Sequence, residues 1–149
     1  LLYPYRNDPR KTLIPYLKNL DENSWFSKSE VYPNNLAWIV SHISNSEDYW
    51  VNEIGLKKNC ILNLNDCNLP KEILDSYIHI REYTDGILQT LEASQLNRRV
   101  EVPKFSDGWT PPSTPTLSWL FNHVFTHEAY HIGQIAVIAK INGYQKPLF

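Results

Sequence analysis

No apolar run in this chain approaches the roughly 20 residues that a membrane span requires, and no signal-peptide pattern opens it. Leu1 rather than a methionine stands first, so a trimmed start is expected. There is no excess of charge: 14 basic against 16 acidic residues leave a formal net charge of −2. The only adjacent arginines are Arg98 and Arg99, too few for a stripe that tracks phosphates, so nucleic acid is not an expected partner. Nor is a membrane surface. Cysteine is scarce. Cys60 and Cys67 stand alone in a polar stretch, which makes neither a disulfide framework nor a metal site, and free thiols in a reducing cytoplasm are expected.

What the 149 residues do contain is helical periodicity, with room for one core in one domain spanning 1–149. Asp8-Pro9 reads as a helix start, followed by a stripe of Leu13, Leu17 and Leu20 that Pro15 should kink or delay. Residues 24–33 read as a connection. A second helix is predicted over 34–56, with the stripe Trp38/Ile39, His42, Ser46, Tyr49, Glu53 and Leu56. After a polar loop over 57–69, Pro70 opens a third helix along Ile73, Tyr77, Ile80, Thr84, Ile87/Leu88 and Leu91. Residues 94–115 form a long connection that holds four of the ten prolines, a length typical of a lid over a site. Within it, 100–102 is the one place where a brief strand pairing is expected. A fourth helix runs over 116–142 and stops at Gly143. Four amphipathic helices predict an all-α, antiparallel four-helix bundle with long connections.

The fourth helix carries the chemistry. Residues 122–134 read NHVFTHEAYHIGQ, with His123, His127 and His131 at intervals of four. On a wheel of about 100° per residue, Leu117, Leu120, Val124, His131, Ile135 and Ile138 fall on one buried stripe. His127 and Glu128 lie on its two shoulders, and His123 lies further round. Most lone histidines are simply hydrogen-bonded to neighbours, but two imidazoles one turn apart on an apolar stripe need something to satisfy them, and a divalent metal does so. One ion cannot take all three, because His123 and His131 are roughly 12 Å apart along the axis and metal–nitrogen bonds are about 2 Å. The pair is His127 with His131 or His123 with His127, and the first lies nearer the buried stripe.

His127-Glu128-Ala129-Tyr130-His131 also matches the H-E-x-x-H zinc-protease signature. Residues 132–149 contain no His, Asp, Glu or Cys to complete such a site, and Gln134 stands where the extended motif needs glycine. The third ligand must therefore come from upstream. His42 lies in apolar surroundings, WIVSHIS, whereas His79 falls off the third stripe and reads as exposed, so His42 is chosen.

With these residues in place the chain resembles the DinB/YfiT-like family. The segments that carry the resemblance are NNLAWIVSHISNSEDYW and TLSWLFNHVFTHEAYHIGQIAVIAKINGY, the second with an H-x-x-x-H-x-G-Q core. The resemblance implies a four-helix bundle with a divalent metal, zinc or nickel, held by three histidines, which match His42, His127 and His131. His123 occupies a position that varies in the family and stays outside the ligand set. The resemblance further implies a metal-dependent transferase acting on a low-molecular-weight thiol and an electrophile, of which bacillithiol S-transferase-like members are examples. A metal-dependent hydrolase and a non-catalytic, stress-related metal-binding protein are the alternatives. Glu128 is the candidate catalytic base or an orienting residue, with a plain surface role as its competitor. Trp109 and Tyr130, near the motif in sequence, are expected to serve packing or an interface.

The far face of the fourth helix, Thr126, Ala129, Tyr130, Gly133, Ala136 and Val137, is small and apolar and must be covered. Two covers are possible, the chain's own connection over 94–115 or a second copy in a homodimer; the dimer is favoured, in part because it is common in the resembled family.

Overall fold

The computed structural model describes residues 2–65 and 68–148. Four long helical elements form an all-α bundle: α1 (Asp8–Asn19), α3 (Leu36–Asp48), α4 (Pro70–Thr90) and α5 (Leu117–Ile141). A one-turn helix, α2 (Glu22–Phe26), lies between the first two. Sequence periodicity could not reveal α2, because five residues are too few to show it. It exists because Asp21 caps it, accepting the Ser24 N–H at 2.9 Å, and because it buries Trp25. Pro15 sits inside α1 without ending it. Its ring is on the exposed side, so the Lys11 carbonyl deprived of a partner can turn to water.

The second predicted helix has the expected extent but two parts. α3, capped by Asn35 through a 2.8 Å bond from the Trp38 N–H, passes at Tyr49 into a π-helical segment, Tyr49–Leu56. Lys57, at φ 55°, terminates it in the left-handed region. The core-facing line is also not the one expected. Leu36, Ile39, Val40, Ile43 and Glu47 are buried, whereas Trp38, His42, Ser46 and Tyr49 form a half-exposed rim. The line read as a core stripe is the wall of a site. Where the π segment meets α5, Gly55 allows a close fit. A Cβ there would lie 3.3 Å from the Trp50 carbonyl and 3.4–3.5 Å from Leu120 and Leu117.

The α4 stripe lies where expected, with Ile73, Tyr77, Ile80, Thr84 and Leu88 buried. Residues 98–117 are stapled at both ends: Val100 N–H bonds Pro115 O at 3.1 Å and Leu117 N–H bonds Arg98 O at 2.9 Å. The brief pairing is a single bridge, Arg99 with Thr116.

Two apolar clusters fill the bundle. One joins α1, α2, the start of α3 and the C-terminal half of α5; the other joins the π segment, Val100 and the N-terminal half of α5. A polar layer separates them. Glu47 lies between Ile43 and Trp50, Arg81 between Tyr77 and Leu88, and Glu128 between Val124 and Ile132, and Arg10 of α1 completes the set. Arg81 bonds Glu47 (2.9 Å) and Glu128 (2.6 Å), and Arg10 bonds Glu128 (2.7 Å) and Glu47 (3.1 Å). Two cations and two anions balance in a buried layer that ties all four long helices. Burial alone would raise the Glu47 carboxyl, but the Arg81 and Arg10 guanidiniums outweigh it and hold the pKa below the ordinary value.

Candidate metal centre

His127 and His131 stand one turn apart on α5, and His42 faces them from α3. One ligand nitrogen or another from each falls within 4.8 Å of the others, so the three can hold a metal ion, and this is the one such cluster of His, Cys, Asp or Glu among the described residues. The Nε2 atoms of His127 and His131 are 3.1 Å apart. A tetrahedral ion with bonds of about 2.0–2.1 Å separates its nitrogens by about 3.4 Å, so small ring rotations suffice. The rings are inclined rather than stacked, at 79° for His42–His131 and 72° for His127–His131, which lets their edges converge on a point.

Neighbours fix the rings. His131 Nδ1 lies 2.5 Å from Gln134 Oε1, which sets Nδ1 as the N–H and turns Nε2 toward the centre. Gln134 closes the H-x-x-x-H-x-G-Q core, and its place three residues after His131 on the same helix face is the signal of this role. His42 is stacked on Trp38 at 4.7 Å and 7°. Burial lowers the His42 pKa, with His131 adding to the effect. Burial, then His131, His42 and His123, lowers His127 to about 3. Neutral imidazole is the ligating form, so these shifts keep His42 and His127 ready for an ion at neutral pH.

Two of the three, His42 and His127, open on a cavity of about 390 Å3. His42 and His127 form one end, with Ser46 of α3 and Tyr49 at the start of the π segment. Trp50, Phe105 and Trp109 form the other, beside His123 and Asp107. The connection over 94–115 thus supplies part of the site, as a lid would. His123 is not among the three; it is stacked on Trp119 at 5.0 Å and meets Trp50 edge-on at 4.6 Å. Trp109 packs, as expected, against Trp50, Phe105 and His123, and also lines the cavity. A second cavity of about 390 Å3, on the Ser41 side of Trp38, touches none of the three histidines.

Glu128 points away from the triad. It is 2% exposed, which excludes a surface role, and both its oxygens are engaged by Arg10 and Arg81, with the Tyr77 hydroxyl donating to Oε1. One helix thus serves both the site and the ionic layer, because His127 and Glu128 leave it in different directions. His79 is exposed, as expected. Cys60 is free and exposed, and partial burial of its sulfur and a 3.4 Å bond to Glu53 push its thiol up to about 12. Cys67 lies outside the described residues.

The far face of α5 is uncovered. Tyr130 is 67% and Val137 46% exposed, and the connection packs at the other end of the helix, on Trp50, Trp119 and His123. Among the described residues, no helix is long and apolar enough to cross a membrane.

No curated relative matches the chain. The model of the DinB superfamily matches residues 8–135, a stretch that runs from the first residue of α1 past all three converging histidines. The helical bundle and the match over most of the chain agree: this protein belongs to the DinB superfamily.

Proposed function

We propose that the protein is a divalent-metal-dependent transferase that joins a low-molecular-weight thiol to an electrophile in the cavity beside the triad. The observation that supports this reading is the donor set: three imidazoles, without a carboxylate, at the edge of an aromatic-walled cavity. Zinc or nickel suits imidazole donors. A divalent ion in such a site supplies Lewis acidity, with at least one position open for a substrate, and lowers the pKa of a thiol toward the competent thiolate.

The chain's own residues do the rest. His42, His127 and His131 bind the ion, and Gln134 and Trp38 hold two of their rings in place. Ser46 and Tyr49 line the approach. Phe105 and Trp109, with Trp50, form the aromatic end of the cavity opposite the triad. Glu128 orients rather than reacts, anchoring α5 one residue from His127 through Arg10 and Arg81. The reading places the enzyme in the cytoplasm, where small thiols are kept reduced, and as a homodimer across the far face of α5.

The test is a thiol-alkylation assay on metal-loaded protein, with cobalt replacing the native ion as a spectroscopic probe. Added thiol should produce a sulfur-to-metal charge-transfer band, and electrophile should be consumed only when thiol is present. Consumption without thiol would instead establish hydrolysis. A fully loaded protein that shows no band and turns over no electrophile would leave a binding protein.

A further inference from the structure

At the end of the cavity away from the triad, three rings meet at steep angles. Trp50 and Trp109 have centroids 6.2 Å apart at 81°, Phe105 and Trp109 5.8 Å at 60°, and Trp50 and Phe105 5.9 Å at 46°. All three line the same empty volume. Rings that line one cavity without stacking on one another leave faces free for a group lodged among them. A group about 4.3 Å from each of two perpendicular faces has those centroids about 6 Å apart, within the reach of a cation–π contact.

Away from the histidines and the ion they would hold, the charge of the lining has one sign. Asp107 borders the corner, and no lysine or arginine among the described residues lines the cavity. Asp107 Oδ1 accepts the backbone N–H of Trp109 at 2.9 Å, which ties the carboxylate to the loop that carries the ring. Gly108, at φ 80°, makes the turn between them. An anionic group would meet a carboxylate and the negative faces of the rings. A neutral apolar group would gain nothing from Asp107. An organic cation gains from both.

We propose that this aromatic corner is a subsite for an organic ammonium group, so that the substrate of the cavity carries a protonated or quaternary nitrogen at one end and reaches the triad with the other. The inference rests on the reading that substrate occupies the cavity beside the triad, and it narrows that substrate to a cationic class. It also makes the connection over 94–115 a recognition element, since two of the three rings and the carboxylate come from it.

The experiment compares choline with 3,3-dimethylbutan-1-ol, its neutral counterpart of nearly the same shape, for binding to metal-loaded protein by calorimetry and tryptophan fluorescence. Choline should bind about tenfold tighter. Trp109→Leu, which keeps apolar bulk but removes the ring, should erase that preference, and Asp107→Asn should weaken choline about threefold and flatten its salt dependence. Metal content should be unchanged in both variants. Equal binding of the two probes, binding of neither, or a preference that survives Trp109→Leu would overturn the proposal. The thiol-induced band, recorded on the same samples, reports on the transferase reading separately. A band without a choline preference removes the cation subsite alone, and a choline preference without a band upholds the subsite and removes the thiol reading.

Discussion

Gln134 holds His131. Its Oε1 lies 2.5 Å from Nδ1 of a ring that is 7% exposed, and the bond fixes which nitrogen of that ring faces His127 and His42. An outer partner of this kind sets the tautomer and the basicity of the inner one. Gln134→Ala should therefore lower metal affinity about 10- to 100-fold without removing any ligand. Competition with a chromophoric chelator measures it, and wild-type affinity in the variant would show that the ring is held by packing alone.

The triad itself is tested by substitution. His42→Ala, His127→Ala and His131→Ala should each lose most of the bound metal by elemental analysis. His79→Ala should keep it, because that side chain is exposed and outside the cluster. His123→Ala should keep it as well, since its ring belongs to the aromatic wall. Full occupancy in His127→Ala would contradict the ligand assignment.

Acid should act in two ways. Burial and neighbouring histidines lower His127 to about 3, and burial with His131 lowers His42, whereas unfolded histidine titrates near 6.5. Below about pH 6.5 the unfolded state therefore binds more protons than the folded one, so the metal-free protein loses stability as pH falls from about 6.5 toward 3 and is insensitive to these groups above that window. Urea midpoints across the range measure this; midpoints that rise on acidification would reverse the sign. For the same reason the midpoint of acid-induced metal release should lie below 6.5, and release centred at or above that value would mean ordinary, solvated imidazoles.

Glu128→Ala should destabilise the fold by about 3–5 kcal/mol, because it leaves Arg10 and Arg81 partly unpaired in a layer where both are at most 4% exposed. Glu128→Gln, which keeps the shape, should retain metal. Denaturant unfolding and metal analysis together separate anchoring from catalysis. A stable Glu128→Ala protein that binds metal fully but has lost turnover would return Glu128 to the role of base.

Gly133→Arg tests assembly. A side chain there meets nothing within 4 Å of its Cβ inside the protomer, so the substitution should spare the fold and the triad while breaking a contact across the far face of α5. Light scattering should show a dimer for the wild type and a monomer for the variant. A wild type that is already monomeric at high concentration would rule out the homodimer.

The sequence by itself determined the four long helices, the convergence of His127 and His131, and the choice of His42 over His79, because each rests on a local period: apolar residues and ligands three or four apart must share a helix face. Local period has no means of stating which face meets which helix. The same 3.6-residue repeat that aligned Trp38, His42, Ser46 and Tyr49 described a stripe equally well as core or as rim, and only packing against α4 and α5 showed it to be the wall of a cavity. Glu128 and Arg10, 118 positions apart, pair because the bundle closes. The π-helical passage at Tyr49, the one-turn α2 and the placing of Trp109 over the site arise in the same way. Each is decided by contacts between residues distant in the chain, where burial of side chains outweighs the small differences in local backbone preference.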